Sequence, residues 1–79
     1  TIRYQLPEDG THIRVLIYNT LGELVRTLVD ATQAAGSYDV TWDARSDAGS
    51  QASSGIYFYR ITATGTKEFT SVKKMLLLK

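Results

Sequence analysis

Ser54-Gly55-Ile56-Tyr57-Phe58-Tyr59-Arg60-Ile61-Thr62-Ala63-Thr64 is the stretch that decides the fold class. Successive strand side chains point to opposite faces, so Tyr57, Tyr59, Ile61 and Ala63 share one face. Ile56 and Phe58 lie on the other, which turns polar at Arg60 and Thr62. Ile56–Thr64 therefore reads as a strand. Upstream, Tyr38, Val40 and Trp42 alternate in the same way. His12–Tyr18 places Ile13, Val15 and Ile17 on one face, with Leu16 and Tyr18 on the other, as a central strand requires. Asn19-Thr20-Leu21-Gly22 reads as a hairpin turn with Gly22 in the left-handed position, and Glu23–Val29 as the return strand. Thr1–Leu6 alternates through Ile2, Tyr4 and Leu6 until Pro7-Glu8-Asp9-Gly10 breaks it. Downstream, Gly65 makes the last turn and Glu68–Leu78 closes the fold.

Six clear strands result, or seven if the middle loop contributes one. Asp30–Gly36 is expected to be a polar connection and Asp43–Gly55 a long irregular one. Only Glu23–Ala35 carries a loose helical stripe, and no internal repeat is visible. Short strands with glycine turns every 6 to 14 residues describe an all-β sandwich or barrel. Tyr4, Ile13, Val15, Ile17, Val40, Trp42, Tyr57, Tyr59, Ile61 and Leu77 are its expected core.

With 79 residues the chain is one small domain. It has no cysteine and one histidine, His12, which leaves no disulfide, no thiolate cluster and no two-histidine metal site. Nine Lys and Arg balance eight Asp and Glu, so the charge does not suit a nucleic-acid binder that works by counterion release. The apolar run Met75–Leu78 is far short of the roughly 20 residues of a membrane-spanning helix. No basic-then-apolar leader opens the chain, so an export signal, if there is one, is expected upstream of Thr1 or of another kind. The charges are unevenly placed. Residues 1–66 carry five arginines and seven carboxylates; every lysine (Lys67, Lys73, Lys74, Lys79) lies in the last 13 residues, with Glu68 the one carboxylate there.

Several residues invite a chemical reading. His12 has neither a nucleophile elbow nor a triad pattern around it and reads as a polar residue at the start of a strand. Asp43 and Asp47 flank Arg45 without the spacing of a calcium loop and read as caps of backbone amides in a turn. Tyr18, Phe58 and Phe69 are the candidates for an aromatic sugar platform, whereas Trp42 with Tyr57 and Tyr59 reads as core. No catalytic residue, metal ligand or cofactor is expected. Lys73-Lys74-Met75-Leu76-Leu77-Leu78-Lys79 is the unusual feature. Its apolar residues on both faces imply a strand covered on both sides. It reads either as a closing strand with lysine gatekeepers or as a strand that a partner recognises by strand addition or carboxylate capture. Such a strand could also pair two copies as a homodimer.

Gly55-Ile56-Tyr57 approximates the tyrosine corner of immunoglobulin-like sandwiches, in which a Tyr hydroxyl folds back onto nearby backbone. Four motifs together resemble a known family. Ile17-Tyr18-Asn19-Thr20-Leu21-Gly22-Glu23-Leu24-Val25, Ala35-Gly36-Ser37-Tyr38-Asp39-Val40-Thr41-Trp42-Asp43, Ser54–Ile61 and Lys74–Lys79 resemble, in order, the hairpin, the "AG-x-x-x-V-x-W-D" strand, the "SG-V-Y-F-Y-R-L" strand and the chain end of type IX secretion system C-terminal sorting domains. The same core is shared with the immunoglobulin-like domain of flagellar hook-cap proteins. The resemblance implies an immunoglobulin-like β-sandwich of six to seven mostly antiparallel strands, with residues 1–79 the single C-terminal domain of a larger secreted protein. It implies a non-catalytic module that directs an N-terminal cargo domain through periplasm and outer membrane to the cell surface or beyond. Its partners would be the translocon and a sortase-like protease, and its recognition residues Gly55, Tyr57, Lys73, Lys74, Met75, Leu76, Leu77, Leu78 and Lys79. Ser53 departs from the family, which often has Pro there. The alternative is an accessory immunoglobulin-like spacer or carbohydrate-binding module of an extracellular enzyme.

Overall fold

The computed structural model describes residues 1–65 and 68–78. Among the described residues six strands form: β1 (Ile2–Leu6), β2 (Thr11–Tyr18), β3 (Leu24–Gln33), β4 (Gly36–Val40), β5 (Gly55–Thr64) and β6 (Phe69–Leu77). All pairings are antiparallel. β1 and β4 make a two-stranded sheet, and the other four a sheet in the order β3-β2-β5-β6. The result is the all-β, immunoglobulin-like sandwich that the sequence predicts, with two sheets of unequal width.

The core lies between the sheets. Ile2, Tyr4 and Leu6 of β1 face Ile13, Val15 and Ile17 of β2 and Tyr57, Ile61 and Ala63 of β5, all buried. These alternating residues point inward because the pleat has period two. Tyr4 stacks on Tyr38 with ring centres 5.3 Å apart, and its hydroxyl donates to Gln33 Oε1 at 2.8 Å. Burial raises the Tyr4 pKa above its ordinary value.

Four details differ from the sequence reading. β3 runs on through Asp30–Gln33, expected to be a connection, because these residues pair with Thr11–Arg14 of β2. Their polar side chains are compatible with an edge strand of which one face is solvated. Leu24–Val29 is a strand as expected, but register shifts after Val15 and Ile17 break its alternation, and Val25, Leu28 and Val29 all pack against the core. Trp42 lies beyond the end of β4 rather than within it. It is half-buried, edge-on to Tyr57 at 5.2 Å, with Nε1 donating to the Arg45 carbonyl at 2.8 Å. Val40, Tyr59 and Leu77 are likewise packed against the core without being enclosed. Tyr59 sits opposite Lys73 near the sheet edge, where a two-stranded cover gives less protection than a four-stranded one.

The middle loop folds on itself without adding a seventh strand. Arg45 bridges Gln51, Ala52 N donates to Ala44 O at 2.8 Å, and Gly49 N to Ser46 O at 2.9 Å. Asp43 Oδ1 accepts from Arg45 N at 3.1 Å, the turn cap expected of it. Asp47 acts at longer range. Its amide donates to Val25 O at 2.9 Å, and its carboxylate accepts from Thr27 N at 3.0 Å. This part of the loop therefore plugs the outer edge of β3 at Val25–Thr27.

Candidate functional site: the terminal edge strand

The predicted recognition residues lie far apart in sequence, and the fold joins most of them. Gly55 pairs with Leu77, Ile56 with Leu76, Tyr57 with Met75, Phe58 with Lys74 and Tyr59 with Lys73. Gly55, Tyr57 and the terminal run therefore form one two-stranded ribbon. Gly55 has φ 149°, a region that residues with a side chain rarely adopt. Lys79 lies outside the described residues.

Within the ribbon the residues have different surroundings. Tyr57 is buried, and its hydroxyl donates to the Ser53 carbonyl at 2.7 Å. That is the expected tyrosine corner, a contact that fixes the start of β5. Met75 and Leu77 turn inward and pack on the core. Lys73, Lys74, Leu76 and Leu78 are exposed. The strand is thus not covered on both sides, as its composition suggested. Among the described residues β6 is an edge, hydrogen-bonded to β5 alone, and its outward Val72 and Leu76 are 58% and 61% exposed. A bare edge of this kind presents a row of backbone donors and acceptors to a partner.

The aromatic candidates do not form one platform. Tyr18 and Phe58 are neighbours across β2 and β5, but Phe69 pairs with the buried Ala63 and belongs to the opposite face. Arg60 lies over the Tyr18 ring at 5.3 Å and donates to its hydroxyl at 3.1 Å. The sequence reading missed this pair because its two residues are 42 positions apart.

His12 sits second in β2 and donates from Nε2 to Asp30 Oδ1 at 2.6 Å. Its Nδ1 lies 3.3 Å from Thr32 Oγ1, and Arg14 Nε is 3.4 Å from the same Asp30 oxygen. The His12 hydrogen bond, aided by Arg14, lowers the Asp30 pKa below the ordinary carboxylate value. The arrangement ties β2 to β3 and brings no nucleophile. Among the described residues no group of three His, Cys, Asp or Glu side chains converges as a metal site would, and no helix is long and apolar enough to cross a membrane.

Comparison with known proteins adds the family. No curated protein and no solved structure matches the chain, and no family of type IX sorting domains is detected. The family model described as FlgD Ig-like domain matches residues 1–67, which cover β1 through β5 and stop just short of β6. On that match, over most of its length, the chain belongs to the FlgD Ig-like domain family.

Proposed function

We propose that this domain is a non-catalytic C-terminal sorting module, which carries an attached cargo protein through a type IX secretion system to the cell surface or the medium. The observation that carries the reading is the β6 edge. It is the last strand, open on one side, and bears Lys73, Lys74, Leu76 and Leu78 toward solvent. A receptor that adds a strand there reads backbone through hydrogen bonds and side chains through alternate pockets. The buried Tyr57 contributes by holding the ribbon, not by touching the receptor. The four-motif resemblance supplies the pathway, the translocon and the sortase-like protease.

The test is an export assay. The chain is fused to the C-terminus of a fluorescent cargo with a leader peptide, in a host that has the type IX machinery. Deleting residues 73–79 strips Gly55–Tyr59 of their pairing partner, so substitutions are cleaner. Lys73→Glu with Lys74→Glu, and Leu76→Asp with Leu78→Asp, change exposed positions only. Cargo should reach the medium with the parent domain and stay in the periplasm with either variant, each domain folded. Export undiminished in both variants removes the edge from recognition. Retention of the parent fusion, while a native cargo is exported in parallel, turns the reading to an accessory spacer or glycan-binding module.

A further inference from the structure

The outward face of the four-stranded sheet is divided. Its rows follow from the register. Thr32, His12 and Thr64 make one row, and Asp30, Arg14, Thr62 and Thr70 the next. Both are polar. The following row is Thr27, Leu16, Arg60 and Val72, and after it come Leu24, Tyr18, Phe58 and Lys74, with Ile56 and Leu76 last. This end is apolar and uncovered: Leu24 is 51% exposed, Ile56 44%, Val72 58% and Leu76 61%. A cleft of about 330 Å³ runs through it, between the β2–β3 turn and the side chains of Tyr18, Phe58, Arg60 and Val72. Contiguous exposed apolar surface of this kind marks an interaction site.

Two cations stand inside the apolar zone. Arg60 pairs with Val72 and Lys74 with Phe58, so they are diagonal neighbours, about 7–8 Å apart along the sheet surface. Neither makes an ion pair among the described residues. Among the described residues the carboxylates that border this end are engaged elsewhere: Asp30 by His12 and Arg14, Asp47 by Thr27 N and Arg26, and Glu23 by Asn19. A partner that covers this face must bring its own negative charge, or bury two like charges uncompensated.

Geometry narrows the partner further. A strand added to the β6 edge lies beside these side chains and leaves them uncovered. A second sheet needs an apolar face along whole strands, and the polar rows deny it. A second copy would set Arg60 and Lys74 against their own images, and its described residues contain no helix. A sugar platform of two aromatics needs both faces free, and the Arg60 guanidinium lies over Tyr18, which leaves Phe58 alone. Four strands span about 14 Å at about 4.8 Å per spacing, the length of a helix of about ten residues. One amphipathic helix has a stripe of the right width.

We propose that the outward face of β3, β2, β5 and β6 at the Tyr18–Phe58 end binds an amphipathic α-helix of another polypeptide, one that carries a carboxylate within its apolar stripe to sit between Arg60 and Lys74. The inference does not rest on the sorting function, since it concerns the face of the sheet rather than its edge. The probe is a synthetic helical peptide with leucines at i, i+3, i+4 and i+7 and one glutamate in that stripe, titrated into the ¹⁵N-labelled domain. A counterpart has glutamine for the glutamate. Saturable amide shifts are expected at Tyr18, Phe58, Arg60 and Val72, with the glutamine peptide about tenfold weaker, as loss of a close charge pair implies. Arg60→Gln with Lys74→Gln should level the two peptides. Val72→Asp, which removes apolar area and sets a carboxylate opposite Arg60, should weaken the acidic one by about tenfold or more, with spectral dispersion kept. The proposal is overturned by the absence of saturable shifts on this face, by equal affinity of the two peptides for the parent domain, or by shifts confined to the β6 edge. Shifts of the same residues on adding an acidic polysaccharide, without any from the peptide, overturn it in favour of a glycan site.

Discussion

Tyr57 shows how one hydroxyl fixes an element. Its bond to the Ser53 carbonyl spans four residues and joins the end of the long loop to the start of β5. Tyr57→Phe keeps the ring against Trp42 and loses only that bond, so urea denaturation should show a loss of about 1 kcal/mol. Tyr4 gives a pH dependence with a definite sign. Its folded-state pKa is raised above the ordinary 10.0, so the folded state favours the neutral phenol. That contribution is complete below pH 10.0, and stability falls as pH rises from there through the raised value. Tyr4→Phe should remove this alkaline dependence in denaturation curves measured across that window. Asp30 has the opposite sign. Its depressed pKa contributes above the ordinary value of 3.8 and is lost as pH falls through the folded one. In His12→Gln the Asp30 carboxyl should titrate nearer 3.8, read from its carboxyl carbon shift by NMR.

At the scale of elements, the hairpin and β5 were the most legible. Asn19-Thr20-Leu21-Gly22 states its own turn. Gly22 has φ 82°, its amide donates to Asn19 O at 3.0 Å, and Asn19 Oδ1 accepts from the amides of Leu21 and Glu23. Gly22→Ala should cost about 1–2 kcal/mol, the penalty of a left-handed side chain, measurable by thermal melting. β3 was less legible for a physical reason. Its two bulges turn Val25 and Leu28 to the core out of period, so the sequence shows a broken alternation that loosely mimics a helix. Asp43 caps its turn as expected, but the amide that Asp47 serves is not in a turn: it is Thr27 of β3, 20 residues away, and no local pattern announces that. Asp47→Ala should raise hydrogen exchange at Thr27 while leaving β5 protected. The recognition ribbon was half-legible. The terminal lysines and leucines stand out in composition, yet whether the strand is covered depends on which strand lies beyond it.

For the whole molecule, the core sits where the narrow sheet covers the wide one. Ile13, Val15 and Ile17 are fully enclosed, so Ile13→Ala should cost about 2–5 kcal/mol. That is much of the margin of a small domain. Trp42 rests at the margin of the core, half-buried, so Trp42→Ala should cost less than the roughly 3–5 kcal/mol of an enclosed aromatic. Chemical denaturation of both variants checks the ranking.

The plug at Val25–Thr27 has a consequence for symmetry. The wide sheet has two edges, and the Asp47 loop obstructs one of them while β6 stays bare along nine residues. Head-to-tail joining, with β6 of one copy against β3 of the next, would repeat without limit and grow a fibre. The plug stands in its way. Any two copies that do meet through β6 use the same surface on both sides, about a two-fold axis, and each consumes the other's free edge. Self-association by that route closes at two.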